Sequence, residues 1–383
     1  MIKFVKIVCI GFCFGICNLR SETYNVITVS RDTTAVNYDK LAPDEIRLVF
    51  EQLATFIPAE PIKEAKEGDP STKPPLTIVV FNEAFFGQYE PLSKDDVNEI
   101  IETYRSFQSH MGNSRLYINF LYMDTNKKEY EEQIKNSKKR YEEITTEGVK
   151  FPSFFVEDEE ISTETFKGGP QGGQVLLFNQ TKIFYRENEI GYYNKSSFCN
   201  EYDKFYDKNL YYVIGNFNTI YNRKEEHQLQ IDCLTCYDID VVSNECYRHY
   251  MDGKSIFAFS SNSSSSLPCA LYDIYGDLAA KKIFICSDSY EDEVTASIDC
   301  KEASEIVAEA IAKGNDEEVQ KGMVCLRGVF EYRGSILSPI SKIEEISFEY
   351  VKAKEYIVKE EENEESAESK DMFSFKKFNL TIN

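Results

Sequence analysis

Three short segments of this 383-residue chain carry an acid, an amine and a thiol just after strand-like runs. A glutamate follows the apolar run in Val80-Phe-Asn-Glu83-Ala-Phe-Phe-Gly87, and a lysine closes Ile190-Gly-Tyr-Tyr-Asn-Lys195. A cysteine closes Ile231-Asp-Cys-Leu-Thr-Cys236 and is followed by Tyr237-Asp-Ile239. Lys195 stands 112 residues after Glu83, and Cys236 a further 41 residues on. In α/β sheets ligand sites gather at the carboxyl ends of strands, so distant side chains of this kind can converge there.

These residue types suit acyl transfer. A thiolate attacks a carbonyl carbon. A carboxylate within hydrogen-bond reach takes the thiol proton and returns it to the leaving amine. An ammonium, with the backbone N–H after the nucleophile, stabilises the tetrahedral oxyanion. Glu83, Lys195, Cys236 and the Tyr237 N–H fit those roles. Each motif alone is weak: a glutamate after a strand is most often a solvated loop residue, a lone lysine is usually at the surface, and a strand cysteine is usually core or half-cystine. The ordered combination is the specific signal.

Rival chemistry finds less support. Cys233-Leu-Thr-Cys236 could be a redox or metal pair. On a strand, however, residues three apart point to opposite faces about 10 Å apart, beyond disulfide reach. No second Cys or His pair of zinc spacing accompanies it. Ile285-Cys286-Ser-Asp288 mimics the nucleophile segment but lies too far from Lys195, and His110, His227 and His249 show no ligand spacing. No metal or cofactor is expected.

The elements that must position these groups alternate between strand and helix. Leu76–Phe81 is an apolar, β-branched run that reads as a buried strand. Before it, Ile46, Val49, Phe50 and Leu53 recur at helical spacing behind Pro43. After it, Val97, Ile100, Ile101 and Tyr104 mark a second helix, capped by Ser93 and Asp96. Arg115–Met123 reads as a strand and Asn126–Ile144 as an exposed, charged helix. Gln174–Phe178 and Lys182–Tyr185 read as a hairpin turning at Asn179-Gln-Thr181. Leu229–Cys233, Ser255–Ser260, Lys282–Cys286 and Ile343–Ile357 read as further strands, and Ala303–Ile311 as a helix closed by Gly314. The alternation predicts an α/β fold.

The ends differ in kind. Lys3 and Lys6 flank an apolar stretch from Phe4 to Cys17, followed by small and polar residues, which is the shape of a secretory signal over residues 1–21. Residues 22–357 then form one domain, and 358–383 an acidic, disordered tail. Losing Lys3, Lys6 and Arg20 leaves 43 − 3 = 40 basic against 65 acidic residues, a net charge of 40 − 65 = −25. Such a surface repels phosphate backbones and anionic lipid, so no nucleic-acid partner is expected. No run of 18 or more apolar residues predicts a transmembrane span. Of the 11 cysteines, eight follow the signal, which suits an oxidising compartment with some disulfides. Asn179, Asn262 and Asn379 open candidate glycosylation sequons. So does Asn194, which is expected to stay unused because a glycan there would crowd Lys195.

The three segments resemble the carbon–nitrogen hydrolase (nitrilase) superfamily, within it the biotinidase and vanin branch. The closest correspondence is Thr235-Cys-Tyr-Asp-Ile239, where that branch has Thr-Cys-Phe-Asp-Ile. Glu201 stands six residues after Lys195, as a glutamate does in that branch, and the Tyr24–Val29 run is similar to its opening strand. The resemblance implies a four-layer α-β-β-α sandwich. It also implies a Glu83–Lys195–Cys236 triad with Glu201 supporting the lysine, and hydrolysis of a small-molecule amide through a thioester. Asn82 stands where the family has Pro, and Asn194 where it has a basic residue or His. The Ser260–Ser266 run replaces larger residues. A secreted binding glycoprotein that has lost catalysis is the alternative reading, and an acyltransferase using the same thioester is a third. A homodimer stays open.

Overall fold

The computed structural model describes residues 22–31, 40–58, 75–87, 91–146, 175–196, 210–215, 220–222, 231–236, 238, 256–261, 283–287, 335–337, 341–352 and 371–382. In chain order the first half runs β1 (Glu22–Arg31), α1 (Pro43–Phe56), β2 (Thr77–Phe81), β3 (Leu92–Ser93), α2 (Lys94–Ser106), β4 (Ser114–Asp124) and α3 (Glu131–Thr146). There follow β5 (Val175–Tyr185), β6 (Asn188–Asn194), β7 (Leu210–Val213), β8 (Ile231–Thr235), β9 (Ile256–Ser260) and β10 (Ile283–Ser287). β11 (Ser335–Leu337), β12 (Ser341–Lys352) and β13 (Asp371–Ile382) complete the set.

The strands form two sheets. The larger has nine strands in the order β12-β13-β1-β2-β4-β5-β6, with β3 added to β4 and β7 to β5; the smaller runs β11-β10-β9-β8. β1, β2 and β4 are parallel neighbours, as are β8, β9 and β10. The two parallel blocks stack, β1 and β2 lying over β9 and β10.

Period-two alternation sorts β2 between two cores. Val79 and Phe81 face the helices, with Phe50, Phe85 and Tyr104. Ile78 and Val80 face the second sheet, with Tyr117, Ile231, Cys233, Ile256 and Ile285. Helices, large sheet and small sheet therefore form three successive layers of an α/β fold. The fourth layer implied by the family resemblance would include Ala303–Ile311, which lies outside the described residues.

The helices begin where their caps predict. In α1 the Glu45 carboxylate accepts the Ala42 N–H at 2.7 Å, Pro43 opens the first turn, and Ile46, Val49, Phe50 and Leu53 form the buried stripe. In α2 the Ser93 hydroxyl accepts from Asp96 N at 3.2 Å while the Asp96 carboxylate accepts from Ser93 N at 2.8 Å. This reciprocal box satisfies two donors that the helix start would otherwise leave exposed. Burial pushes the Asp96 carboxyl up, but hydrogen bonds from Lys40, the Ser93 N–H and the Ser93 hydroxyl outweigh it and hold the group below its ordinary range. Among the described residues no helix is long and apolar enough to cross a membrane.

Two expectations are corrected. Residues 371–382 do not form a disordered tail: they make β13, hydrogen-bonded to β1 on one side and β12 on the other. Phe373 and Phe375 enter the helix-side core, Phe378 and Leu380 the core between the sheets, and Lys377 Nζ donates to the Phe56 carbonyl near the end of α1 at 2.8 Å. A chain segment that buries apolar groups on both faces gains more than its ordering costs. The proposed hairpin at Asn179-Gln-Thr181 is likewise a single strand, β5, whose turn comes later at Arg186 and Glu187. Asn179 and Thr181 are polar because they point inward at a buried polar site. The signal at 1–21 and the segment 358–370 lie outside the described residues.

Candidate functional site

Each of the three reactive groups sits on a backbone turn just past a strand, and hydrogen bonds fix each turn. Beyond β2, the Asn82 N–H extends the ladder to Val29 O at 3.0 Å, a bond that proline at this position could not make. The Asn82 side chain accepts the Arg31 N–H at 3.2 Å and donates to the Glu83 carbonyl at 3.2 Å. Ala84 adopts a left-handed φ of 51°, and its N–H donates to Asn119 Oδ1 at 2.8 Å. This sharp turn sends Glu83 between the sheets while Phe85 and Phe86 anchor in the helix-side core.

Lys195 follows β6. Its N–H donates to the Asn179 carbonyl at 2.9 Å and its carbonyl accepts the Gly215 N–H at 2.9 Å. Gly215 has no alternative there, since a Cβ on it would lie 2.2 Å from the Asn194 carbonyl oxygen.

Cys236 follows β8 with a left-handed φ of 46°. That conformation is unfavourable for a residue with a side chain and persists where surroundings over-determine it. Here the Cys236 N–H donates to Ser260 O at 2.7 Å, and the next carbonyl, Ser261 O, accepts the Glu83 N–H at 3.2 Å. The thiol turn and the carboxylate turn thus hang from consecutive carbonyls at the end of β9. Thr181 Oγ1 on β5 also meets Thr235 Oγ1 on β8 at 3.4 Å.

Inside this frame Lys195 Nζ donates to Glu83 Oε1 at 2.8 Å, with the two side chains 0% and 1% exposed. Asn179 Nδ2 donates to the same oxygen at 2.6 Å. Cys236 is equally buried. Removed from water, the ammonium and carboxylate interact far more strongly than at a surface. The site therefore holds a buried ion pair beside a thiol-bearing turn.

Asp238 joins the lysine and thiol turns. It accepts the Thr235 N–H at 3.1 Å, the Ser196 N–H at 2.9 Å and the Tyr193 hydroxyl at 2.6 Å. Burial, reinforced by the Asp238 charge, raises the Tyr193 phenol well above its ordinary range, so it stays a donor.

Of the residues singled out by sequence, Glu83 and Lys195 are in direct contact, and Cys236 is on the adjoining turn. Glu201, Tyr237 and Asn262 lie outside the described residues. Asn379 is half-buried on β13. Asn179 is corrected: it is 1% exposed with its amide committed to Glu83, so no glycan fits on it in this fold. Asn194 is as deeply buried, its Oδ1 accepting from Gln180 Nε2 at 2.8 Å. The sequence reading missed Asn119, Thr181, Tyr193 and Asp238. Their signal is parity: Asn119, Asn179 and Thr181 are polar at inward positions of otherwise apolar strands. Among the described residues no cluster of three or more His, Cys, Asp or Glu side chains could hold a metal ion.

No protein-family model matches the chain, and no curated protein matches it. Several solved structures are similar in outline. A glutamine-dependent NAD+ synthetase from Acinetobacter baumannii shares 11% identity at a TM-score of 0.37, over 70% of this chain and 39% of its own. A CN-hydrolase superfamily protein from Xanthomonas campestris shares 12% identity at 0.36, over 71% of this chain and 77% of its own. An N-terminal amidase with a Gln-Gly peptide shares 9% identity at 0.31, over 63% of this chain and 48% of its own. The chain thus spans well under two thirds of the synthetase and of the N-terminal amidase.

Proposed function

We propose that the chain is a thiol amidase that cleaves a linear amide of a small molecule. The reading rests above all on the buried Lys195–Glu83 pair at 2.8 Å, carried on a turn that hangs beside that of Cys236. A surface lysine–glutamate contact would mean little, whereas a fully buried pair costs desolvation and is retained where its charges are used or enforce one arrangement.

Glu83 accepts the proton of the Cys236 thiol as sulfur attacks the amide carbon, and the carbonyl oxygen becomes an oxyanion stabilised by the Lys195 ammonium. Collapse breaks the C–N bond. Glu83 returns its proton to the departing amine, and a thioester remains on Cys236. Water then attacks the thioester, giving its proton to Glu83, and the sulfur leaves as a thiol that takes that proton back. The carboxylic acid is released, with atoms and charges balanced over the cycle. The family resemblance of Thr235–Ile239 agrees with this route. We further read the chain as exported behind residues 1–21, and its layers as part of an α-β-β-α sandwich.

The test is mass spectrometry of intact protein quenched during turnover of a panel of short acyl amides. Wild type is expected to carry an acyl adduct on Cys236 and to release the amine, and Cys236→Ala to do neither. Hydrolysis by the Cys236→Ala variant at the wild-type rate would defeat the reading. A wild-type Cys236 inert to every amide and to thiol-directed alkylating agents would favour a non-catalytic binding protein.

A further inference from the structure

The two buried asparagines behind Glu83 form a chain whose direction is fixed from one end. The Ala84 N–H can only donate, so the atom it meets at 2.8 Å is the oxygen of Asn119. The other end of that amide is then its nitrogen, which donates to Asn179 Oδ1 at 2.8 Å and to Thr181 Oγ1 at 3.1 Å. Asn179 therefore turns its own nitrogen to Glu83 Oε1, at 2.6 Å. Lys195 Nζ donates to the same oxygen at 2.8 Å. Oε1 thus faces two groups that carry hydrogens and offer no acceptor in this orientation.

We infer that the Asn119–Asn179 relay is a positioning device that reserves Glu83 Oε1 as an acceptor and directs any proton Glu83 takes up to Oε2. Asn179 does not touch the reacting atoms and acts through Glu83. The inference rests on the thiol-amidase reading and deepens it by assigning the proton-carrying atom. Hydrogen bonds of this kind favour the ionised carboxylate over the neutral acid, so the relay also sets how acidic the medium must become before Glu83 stops acting as a base. Among the described residues, the other ionisable groups at these turns are Lys195 after β6, Cys236 after β8 and Arg31 at the end of β1. The Arg31 guanidinium donates to the Phe85 carbonyl at 3.2 Å. Asp238 and Tyr193 are engaged with each other and with the Ser196 N–H. Asn179 Oδ1 itself accepts from the Asn119 amide nitrogen.

The experiment is the rate of Cys236 alkylation by iodoacetamide from pH 4 to pH 9 in the full chain, which needs no substrate. Wild type, Glu83→Gln, Asn179→Asp and Asn179→Leu are compared, with folding followed by thermal melting. Wild type should show an acid limb that in Glu83→Gln gives way to the higher-lying ionisation of the thiol itself. Asn179→Asp places a second carboxylate against Oε1, so the two share a proton. The limb should move up by at least about one pH unit, a tenfold or greater loss of reactivity on its slope. Asn179→Leu should move it in the same direction. Limbs that stay at the wild-type pH in the variants that fold would overturn the inference while leaving the amidase reading intact. Loss of fold in both Asn179 variants would overturn it too, by making the amides' role structural. A wild-type profile identical to that of Glu83→Gln would instead sink the amidase reading, and this inference with it.

Discussion

Replacing Glu83 by Gln removes one charge from a pair whose members are 1% and 0% exposed and keeps nearly the same shape. The glutamine can still accept from Asn179 and Lys195, so the hydrogen-bond count changes little. What changes is that a buried ammonium loses its counter-charge. Breaking a buried pair by removing one partner costs about 3–5 kcal/mol. An independent bound agrees: the lysine can escape the penalty by shedding its proton, which at pH 7 costs about 4–5 kcal/mol at 1.36 kcal/mol per pH unit. The sign follows from proton counting. In the variant the folded lysine holds its proton less tightly than the unfolded one, so the unfolded state binds more protons and stability should rise with pH between 7 and 10. Lys195→Met should be comparably destabilised. The double variant Glu83→Gln, Lys195→Met contains no buried charge, and it should recover most of the loss while remaining inactive. Urea denaturation at pH 7 and pH 9 measures the first claim, and amide turnover the second. A double variant no more stable than the weaker single variant would refute the account of the pair. A Glu83→Gln enzyme within tenfold of wild type would refute its catalytic role, for which a loss of about 10²–10⁴ is expected.

Three further outcomes follow from particular residues. Cys236 holds a left-handed φ, so Cys236→Gly should be more stable than Cys236→Ala by about 1 kcal/mol in chemical denaturation, while neither should turn over amides. Gly215→Ala would set a Cβ 2.2 Å from the Asn194 carbonyl, displacing the Lys195 turn; turnover should fall more than about tenfold by the sensitivity of catalysis to misplacement, with a lower melting temperature. The Asp96 carboxyl is held below its ordinary range in the folded state, so its contribution is present above the unfolded value near 3.9 and is lost as pH falls through the lower folded value. The melting temperatures of wild type and Asp96→Asn should therefore differ at pH 6 and converge below pH 4.

Glu83, Lys195 and Cys236 could be singled out because each follows an apolar run that ends abruptly. The helices were legible from periodicity and from Ser93 and Asp96. The asparagines behind Glu83 were not. Within Leu177-Phe-Asn-Gln-Thr181 a buried polar pair at alternate positions looks the same as a turn between two strands, and only the partner strands distinguish the two. β13 was hidden for a related reason. Phe373 and Phe375 occupy one parity, Phe378 and Leu380 the other, so no single amphipathic face stands out. A strand buried on both sides gives no polar–apolar alternation to read. Its acidic, serine-rich approach pulled the reading further towards disorder.

The pairing of β1 with β13 sets Glu22 opposite Ile382. During synthesis at about 5–20 residues per second, β1 leaves the ribosome tens of seconds before its antiparallel neighbour exists. For that interval one side of the growing sheet exposes unpaired N–H and C=O groups, a template for the wrong chain. The scaffold that hangs the thiol and carboxylate turns side by side is therefore completed only once the β13 segment has been made and can close that rim.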